Sequence, residues 1–397
     1  MPVIDRIAAF HDAMTEWRRD LHRHPELGLE EQRTSAVVRD KLRAFGADEV
    51  VTGLAGTGVI GIIRGADGGA SGRAIGLRAD MDALPIREAT GLPWASATEG
   101  VMHACGHDGH TAMLLGAARY LAETRRFDGT VYVIFQPAEE NVGGGDMMVR
   151  EGLFERFPMQ SVFGLHNWPE APEGTFLWRA GPMMAAVVNI EIDIIGKGAH
   201  GALPHNGIDP VVVAAQIVMA LQTLVSRSID PLAGGVVTIG HIVGGDTHNV
   251  IPERVRMRGT GRWFDPTVGE RLQEGVRRLA TGIAASFGAR AEVTLDHAYP
   301  PVVNDPAATA QAVGAARAVA GDGRVVELER PTMGAEDFAF MLKARPGSYL
   351  MLGGRRGPDE AMVHHPRYDF NDALLPIGAS YWATLAEQLL PRSLSAG

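Results

Sequence analysis

Apolar residues recur along this chain with two different spacings, and the change between them divides it. Near the N-terminus Ile7, Phe10, Met14, Trp17 and Leu21 fall three or four residues apart, which predicts an amphipathic helix over 3–22. A second helix is predicted over 31–45, stopping at Gly46. Short unbroken apolar runs follow: Gly58 to Ile63, Ala74 to Leu77, Val131 to Phe135 and Val162 to Leu165. Runs of that length, bounded by polar or glycine-containing segments, predict buried strands. A helix is predicted from about Gly109 to Glu123, between the second and third of them. Strands alternating with helices imply a layered α/β domain with a central, mostly parallel sheet.

After Gly181-Pro182 the rhythm changes. Val187 to Ile195 alternates as a strand does, and Asp209 to Val225 is helical, with Pro210 in the first turn. Val236 to Val243 and Arg254 to Phe264 read as strands, Pro266 to Phe287 as a long helix and Ala291 to Leu295 as a last strand. The order β-α-β-β-α-β is the split, ferredoxin-like α+β pattern. Tyr299-Pro300-Pro301 then interrupts the chain, and helices are predicted near 305–320 and 376–390. The expected organisation is therefore a domain built from 1–181 and 300–397, with 182–299 inserted into it.

Composition narrows the possibilities. A chain of 397 residues exceeds one ordinary core, in agreement with two domains. A formal net charge of -10 opposes a nucleic-acid-binding face, which needs a basic surface. One cysteine excludes an internal disulfide. The N-terminus carries no basic segment followed by an apolar run, and no stretch approaches the roughly 20 apolar residues of a bilayer span. The expectation is a cytoplasmic protein with neither membrane nor nucleic-acid partner.

The chemistry collects where the predicted strands end. The single cysteine lies in His103-Ala104-Cys105-Gly106-His107-Asp108-Gly109-His110, where a thiol, three imidazoles and two glycines share one short segment. A soft sulfur beside imidazoles suits zinc or another late divalent metal, and Gly106 lets the chain turn so that Cys105 and His107 face one point. Glu139 and Glu140 follow the third strand; on a turn one can bind metal while its neighbour faces a water. His166 follows the fourth strand. His364 could close the site from far along the chain, and His365 is an equal ligand on chemistry alone. Asp80 and Asp82 are candidates to accept from a ligand imidazole and fix its tautomer. A thiolate, imidazoles and carboxylates in this number can hold two metals. With a non-ligating glutamate as base, they would support hydrolysis of an amide or related acyl bond.

The motifs also carry a resemblance. Asp-Met-Asp-Ala-Leu-Pro at 80–85, the cysteine motif at 103–110 and Phe-Gln-Pro-Ala-Glu-Glu at 135–140 resemble the M20 metallopeptidase family, in particular its amidohydrolase branch. The resemblance continues through Gly-Lys-Gly-Ala-His-Gly-Ala-Leu-Pro-His at 196–205, His-Asn-Val-Ile-Pro at 248–252, Met-Gly-Ala-Glu-Asp-Phe at 333–338 and His-His-Pro-Arg-Tyr-Asp-Phe-Asn-Asp at 364–372. It implies two divalent ions per subunit (zinc, manganese, cobalt or nickel), with Cys105 shared between them and His107, Glu140, His166 and His364 completing the set. By the same resemblance Glu139 is the general base and Asp82 an orienting carboxylate. His200 would stabilise the oxyanion, Asn249 would contact substrate from the inserted lid, and Gly334 would lie on a substrate-side loop. The implied activity is cleavage of N-acyl amino acids of the N-acetyl or N-benzoyl kind, by a homodimer or higher oligomer assembled through the lid. A dipeptidase or carboxypeptidase, an N-carbamoyl (ureido) hydrolase, and a non-catalytic metal-binding protein are the alternatives. Arg262 is a candidate partner for a substrate carboxylate.

Overall fold

In the computed structural model, which describes residues 3–140 and 142–392, the chain separates into two compact units. The first runs to Met183 and continues through Val302–Pro331 and from Glu336 on; the second comprises Met184–Pro301 with Thr332–Ala335. The short return of Thr332–Ala335 to the second unit has a local cause. The Ala185 N–H donates to the carbonyls of Thr332 (3.1 Å) and Gly334 (2.8 Å), and Met184 bridges Thr332.

The first unit is built on an eight-stranded sheet in the order Glu49–Leu54, Gly58–Arg64, Thr130–Gln136, Ala74–Asp80, Ser161–Pro172, Gly347–Arg355, Phe176–Trp178, Val325–Glu327. The four central strands from Thr130–Gln136 to Gly347–Arg355 run parallel, while antiparallel pairings join the flanking strands to them. Ala74–Asp80 is buried along its whole length, as a sheet covered on both faces requires, and this explains the unbroken apolar run from Ala74 to Leu77. The helix His107–Thr124 packs against Leu374–Leu389 in the same core and is buried around most of its circumference.

Two departures from the expected pattern have physical reasons. The N-terminal helix is two, Asp5–Ala8 and His11–Arg23, because the Phe10 N–H reaches back only three residues to Ile7 and tightens the chain there. Ile7, Phe10, Met14 and Leu21 are nonetheless all buried. The central strand Gly347–Arg355 lies in a region where only helices were expected; Pro346 before it and Gly353-Gly354 within it blur its apolar run. Elsewhere the local signals hold. Gly46 ends Gln32–Phe45 at φ 86°, a left-handed conformation that glycine adopts without a Cβ penalty.

The second unit is a four-stranded antiparallel sheet, ordered Gly235–Val243, Arg254–Trp263, Ala186–Ile195, Arg290–Tyr299, with helices Pro210–Arg227 and Pro266–Ser286. Asp209 and Asp265 cap the two helices, each followed by a proline at the first helical position. Alternate residues of the strand Ala186–Ile195, from Ala186 and Val188 to Ile194, are buried in one core with Ile217, Leu221, Leu272 and Val276 of the helices. Among the described residues one helix, Pro210–Arg227, is by length and composition long and apolar enough to cross a membrane, contrary to the expectation that no stretch came near. Here Val213, Ile217, Leu221 and Leu224 bury against the sheet.

Candidate metal centre

Three of the segments that bear the candidate ligands leave the carboxyl ends of central parallel strands, where sites in open α/β sheets form. Asp80 is the last residue of its strand, Glu139 and Glu140 follow Gln136, and His364 lies beyond Arg355. His166 differs: its strand continues to Pro172, so the imidazole projects from within the sheet. Cys105 and His107 flank Gly106, whose φ of 93° turns the chain into the helix that begins at His107. A Cβ at Gly106 would sit 2.2 Å from the Asn167 Oδ1 and 2.7 Å from the Tyr368 hydroxyl, so only glycine fits. His364 is itself left-handed, at φ 66°, and its N–H donates to the Ala104 carbonyl at 2.7 Å, one residue from Cys105.

These turns bring the donors together in two groups that share one atom. Cys105, His107 and His166 form one and Cys105, Glu140 and His364 the other, with the donor atoms of each group within 4.8 Å of one another. The Cys105 Sγ lies 3.3 Å from the His166 Nε2, while the His166 Nδ1–H donates to the Asn167 carbonyl at 2.6 Å and leaves Nε2 its lone pair. Asp82 organises the other side: its Oδ1 lies 3.2 Å from the His107 Nδ1 and its Oδ2 accepts from the Glu140 N–H at 3.0 Å. The His107 Nε2 and the Glu140 Oε1, buried and 3.9 Å apart, then have no hydrogen-bond partner among the described residues. The same Glu140 oxygen is 3.1 Å from the His364 Nε2. Buried lone pairs converging beside a thiol are the donor set that two bridged divalent cations require, and the residues fit them. His365, by contrast, is exposed, accepts the Arg367 N–H at 3.1 Å and belongs to neither group.

The electrostatics of the cluster match its composition. Burial, reinforced by Glu140, Glu139 and Asp80, holds the Cys105 thiol well above its ordinary range. Burial pushes His166 well below the histidine range. Burial opposes charge on His107 too, but Asp80 and Asp82 overcome it and raise the imidazole to about 10. The negative potential that raises a thiol is also what draws cations in.

Glu139 faces a second layer that the sequence reading passed over. It groups with Glu336 and Asp337, and the Asp337 N–H points at its Oε1 from 3.4 Å. Burial, then repulsion from Glu336, Glu140, Asp337 and Asp82, lifts the Glu139 carboxyl well above the usual range. Arg78, fully buried, holds this acidic layer. Its Nε donates to Gln136 (2.8 Å), its Nη1 to Asp80 (2.8 Å) and its Nη2 to Glu336 (2.9 Å) and Asp337 (3.1 Å). The available signal was Arg78 itself: an arginine in the middle of an apolar strand has to find carboxylates.

His200, Asn249 and Gly334 belong to the second unit. His200 pairs in register with Val250 in a two-stranded ladder, and the neighbouring Gly201 N–H donates to the Asn249 carbonyl at 2.8 Å, so His200 and Asn249, both exposed, are near neighbours. The Gly334 carbonyl accepts the Ala185 N–H at 2.8 Å. Arg262 is occupied, donating to the Met333 carbonyl at 2.7 Å.

Two ligand groups sharing a thiol at the strand ends of an α/β sheet, with an extra buried carboxylate beside them, define a metal-dependent hydrolase. Residues 76–388 match peptidase family M20/M25/M40, and the chain belongs to that family. It is 38% identical to a hippurate hydrolase of Campylobacter jejuni, over 98% of this chain and 100% of that protein. It is 42% identical to an N-acetyl-L-cysteine deacetylase of Bacillus subtilis, over 92% of this chain and 85% of that one. Among solved structures, the Bacillus subtilis YXEP protein, described as a dinuclear metal binding peptidase from the M20 family, superposes with a TM-score of 0.81 at 37% identity, covering 96% of this chain and 99% of the other.

Proposed function

We propose that this protein hydrolyses the amide bond of N-acyl amino acids, of the N-acetyl or N-benzoyl kind, to a carboxylate and a free amino acid. The observation that carries the reading is the pair of ligand groups meeting at Cys105, with the Glu139 carboxylate beside them, within reach of His107 and Glu140. A hippurate hydrolase and an N-acetyl-L-cysteine deacetylase among the relatives support the substrate class.

Cys105, His107 and His166 would hold one divalent ion and Cys105, Glu140 and His364 the other; zinc, manganese, cobalt and nickel all accept these donors. When bound, such a pair acidifies the attacking water and polarises the scissile carbonyl. Glu139 takes the proton from that water and delivers it to the departing nitrogen, and its burial among carboxylates gives it the proton affinity to hold the proton in between. Asp82 keeps the His107 Nε2 aimed at the site by engaging its Nδ1. In the second unit His200 would donate to the oxyanion, while Asn249 and the Gly334 backbone would meet the substrate. Homodimerisation through this unit is supported by apolar side chains left exposed on it: Val211, Val212 and Met219 on one helix, Ile242 and Val243 on a strand. A cytoplasmic location accords with a working thiol that must stay reduced.

The test is release of free amino acid from N-acetyl, N-benzoyl and N-carbamoyl amino acids and from dipeptides, before and after chelation, with metal content measured in parallel. Chelator-sensitive turnover of N-acetyl or N-benzoyl substrates in preference to the others is expected. Preference for dipeptides or N-carbamoyl compounds would replace the substrate class, and absence of turnover with about two ions bound per chain would overturn the reading.

A further inference from the structure

Behind the ligands runs a second chain of buried polar side chains that the proposed reaction does not use. Asp80, His110, Asn167 and Tyr368 are all nearly inaccessible to solvent. The His110 Nδ1 lies 2.6 Å from the Asp80 Oδ1, its Nε2 lies 2.6 Å from the Asn167 Oδ1, and the Asn167 Nδ2 is 2.7 Å from the Tyr368 hydroxyl. The other Asp80 oxygen accepts from Arg78 at 2.8 Å, and the Asp80 carbonyl accepts from the Thr111 hydroxyl at 3.0 Å.

Each member stands a short, fixed step from a residue of the metal centre. Asp80 is two residues before Asp82, and Asn167 directly follows His166. Tyr368 is four residues after His364. His110 is three residues after His107 on one helix, a spacing that puts both on the same face. The chain thus links every ligand-bearing segment except the Glu139-Glu140 turn, and Asp82 ties that turn in through the Glu140 N–H. Asp80, His107 and His110 also lie close enough to resemble a cation site of their own. Both His110 nitrogens and both Asp80 oxygens are already engaged, however, which removes their lone pairs from that use.

We propose that Asp80, His110, Asn167 and Tyr368 form a brace that sets the spacing of the metal ligands, with His110 as its central positioning residue. The inference rests on the dinuclear reading above. A ligand pair sharing one sulfur tolerates little relative movement, because a shift of the Cys105 segment opens both groups and a shift of any other ligand segment opens one of them. The brace crosses those segments at a level where no ligand is needed, so it holds the geometry in the metal-free protein as well. Gly106 marks how closely the brace packs: its absent side chain leaves the space that Asn167 and Tyr368 occupy.

The test measures divalent-ion affinity by competition with a chromophoric chelator, using Zn²⁺ and Mn²⁺ separately, on the wild type, His110→Gln and Tyr368→Phe. Thermal unfolding of the metal-free proteins is measured alongside. His110→Gln is expected to weaken binding about 10- to 100-fold, the range found when residues supporting metal ligands are removed. Tyr368→Phe, which removes one hydroxyl at the end of the brace, should move affinity in the same direction by less. Saturating metal should restore kcat with KM near the wild-type value. Affinities within about twofold of wild type in either soluble variant, even with a lowered melting temperature, would show a merely structural network and overturn the brace. Should His110→Gln fail to fold, Tyr368→Phe decides alone. A wild type that binds no ions would instead overturn the dinuclear reading itself, which separates the two failures.

Discussion

Glu31 offers a prediction whose sign and size both follow from the structure. It is fully buried and accepts the Ala138 N–H at 2.8 Å on one oxygen and the Thr57 hydroxyl at 2.7 Å on the other. Ala138 is left-handed, at φ 53°, and directly precedes Glu139. Burial raises the Glu31 carboxyl from 4.5 to about 7. Between those values the folded protein keeps a proton that the unfolded chain has lost, so this group costs stability progressively as pH rises from 4.5 to about 7. At ~1.4 kcal/mol per pH unit the full cost is about 3 kcal/mol. Glu31→Gln removes it: the amide oxygen can still accept from Ala138, and the amide nitrogen can donate to a rotated Thr57 hydroxyl. Thermal unfolding of the chelated proteins from pH ~5 to ~8 should show the variant pulling ahead of wild type with rising pH. At ~2 °C per kcal/mol for a unit of this size, the gap should reach several degrees. A gap that does not change across that range would refute the reasoning, because an uncharged or unburied Glu31 gives no pH-dependent difference.

Other expectations concern the site itself. Gly106→Ala places a methyl group 2.2 Å from the Asn167 side chain at a positive φ, so it should lose bound metal and at least ~1 kcal/mol of stability, read by metal analysis and melting temperature. Glu139→Gln should retain both ions while lowering kcat by about 10²- to 10⁴-fold, since Glu139 stands beside the ligand set and serves as the proton carrier; loss of metal in this variant would reassign it as a ligand.

The parts legible in the sequence were those with a local signature. Alternation along Ala186–Ile195 and the Asp-Pro starts at Asp209 and Asp265 located the second unit's elements, because one face of each is wet. The cysteine segment was visible as a cluster of metal-binding side chains, and Glu139-Glu140 and His166 as chemistry at the ends of apolar runs. What the residues alone left open depends on contacts between distant segments. His364 and His365 are alike in chemistry; the resemblance selected His364, and the left-handed turn that ties it to Ala104 is the local geometry that sets it apart. The Glu336-Asp337 pair was read as part of a loop because its partner Arg78 lies 258 and 259 residues away. The strand Gly347–Arg355 was hidden by the glycines that let it pass close to its neighbours, with Gly353 only 2.2 Å (from a built Cβ) to the Pro172 carbonyl.

Arg78 carries a consequence for how this protein can change over time. One planar guanidinium serves three acids and an amide contributed by three separate segments, a geometry that the point charge of a lysine cannot reproduce. Losing the arginine leaves three buried acids without their shared donor, and losing any acid leaves part of the cation uncompensated. Positions 78, 80, 136, 336 and 337 therefore form one heritable block. A single substitution within it leaves a buried charged or polar group without its partner, so these five residues are expected to pass on together while exposed positions away from the site vary.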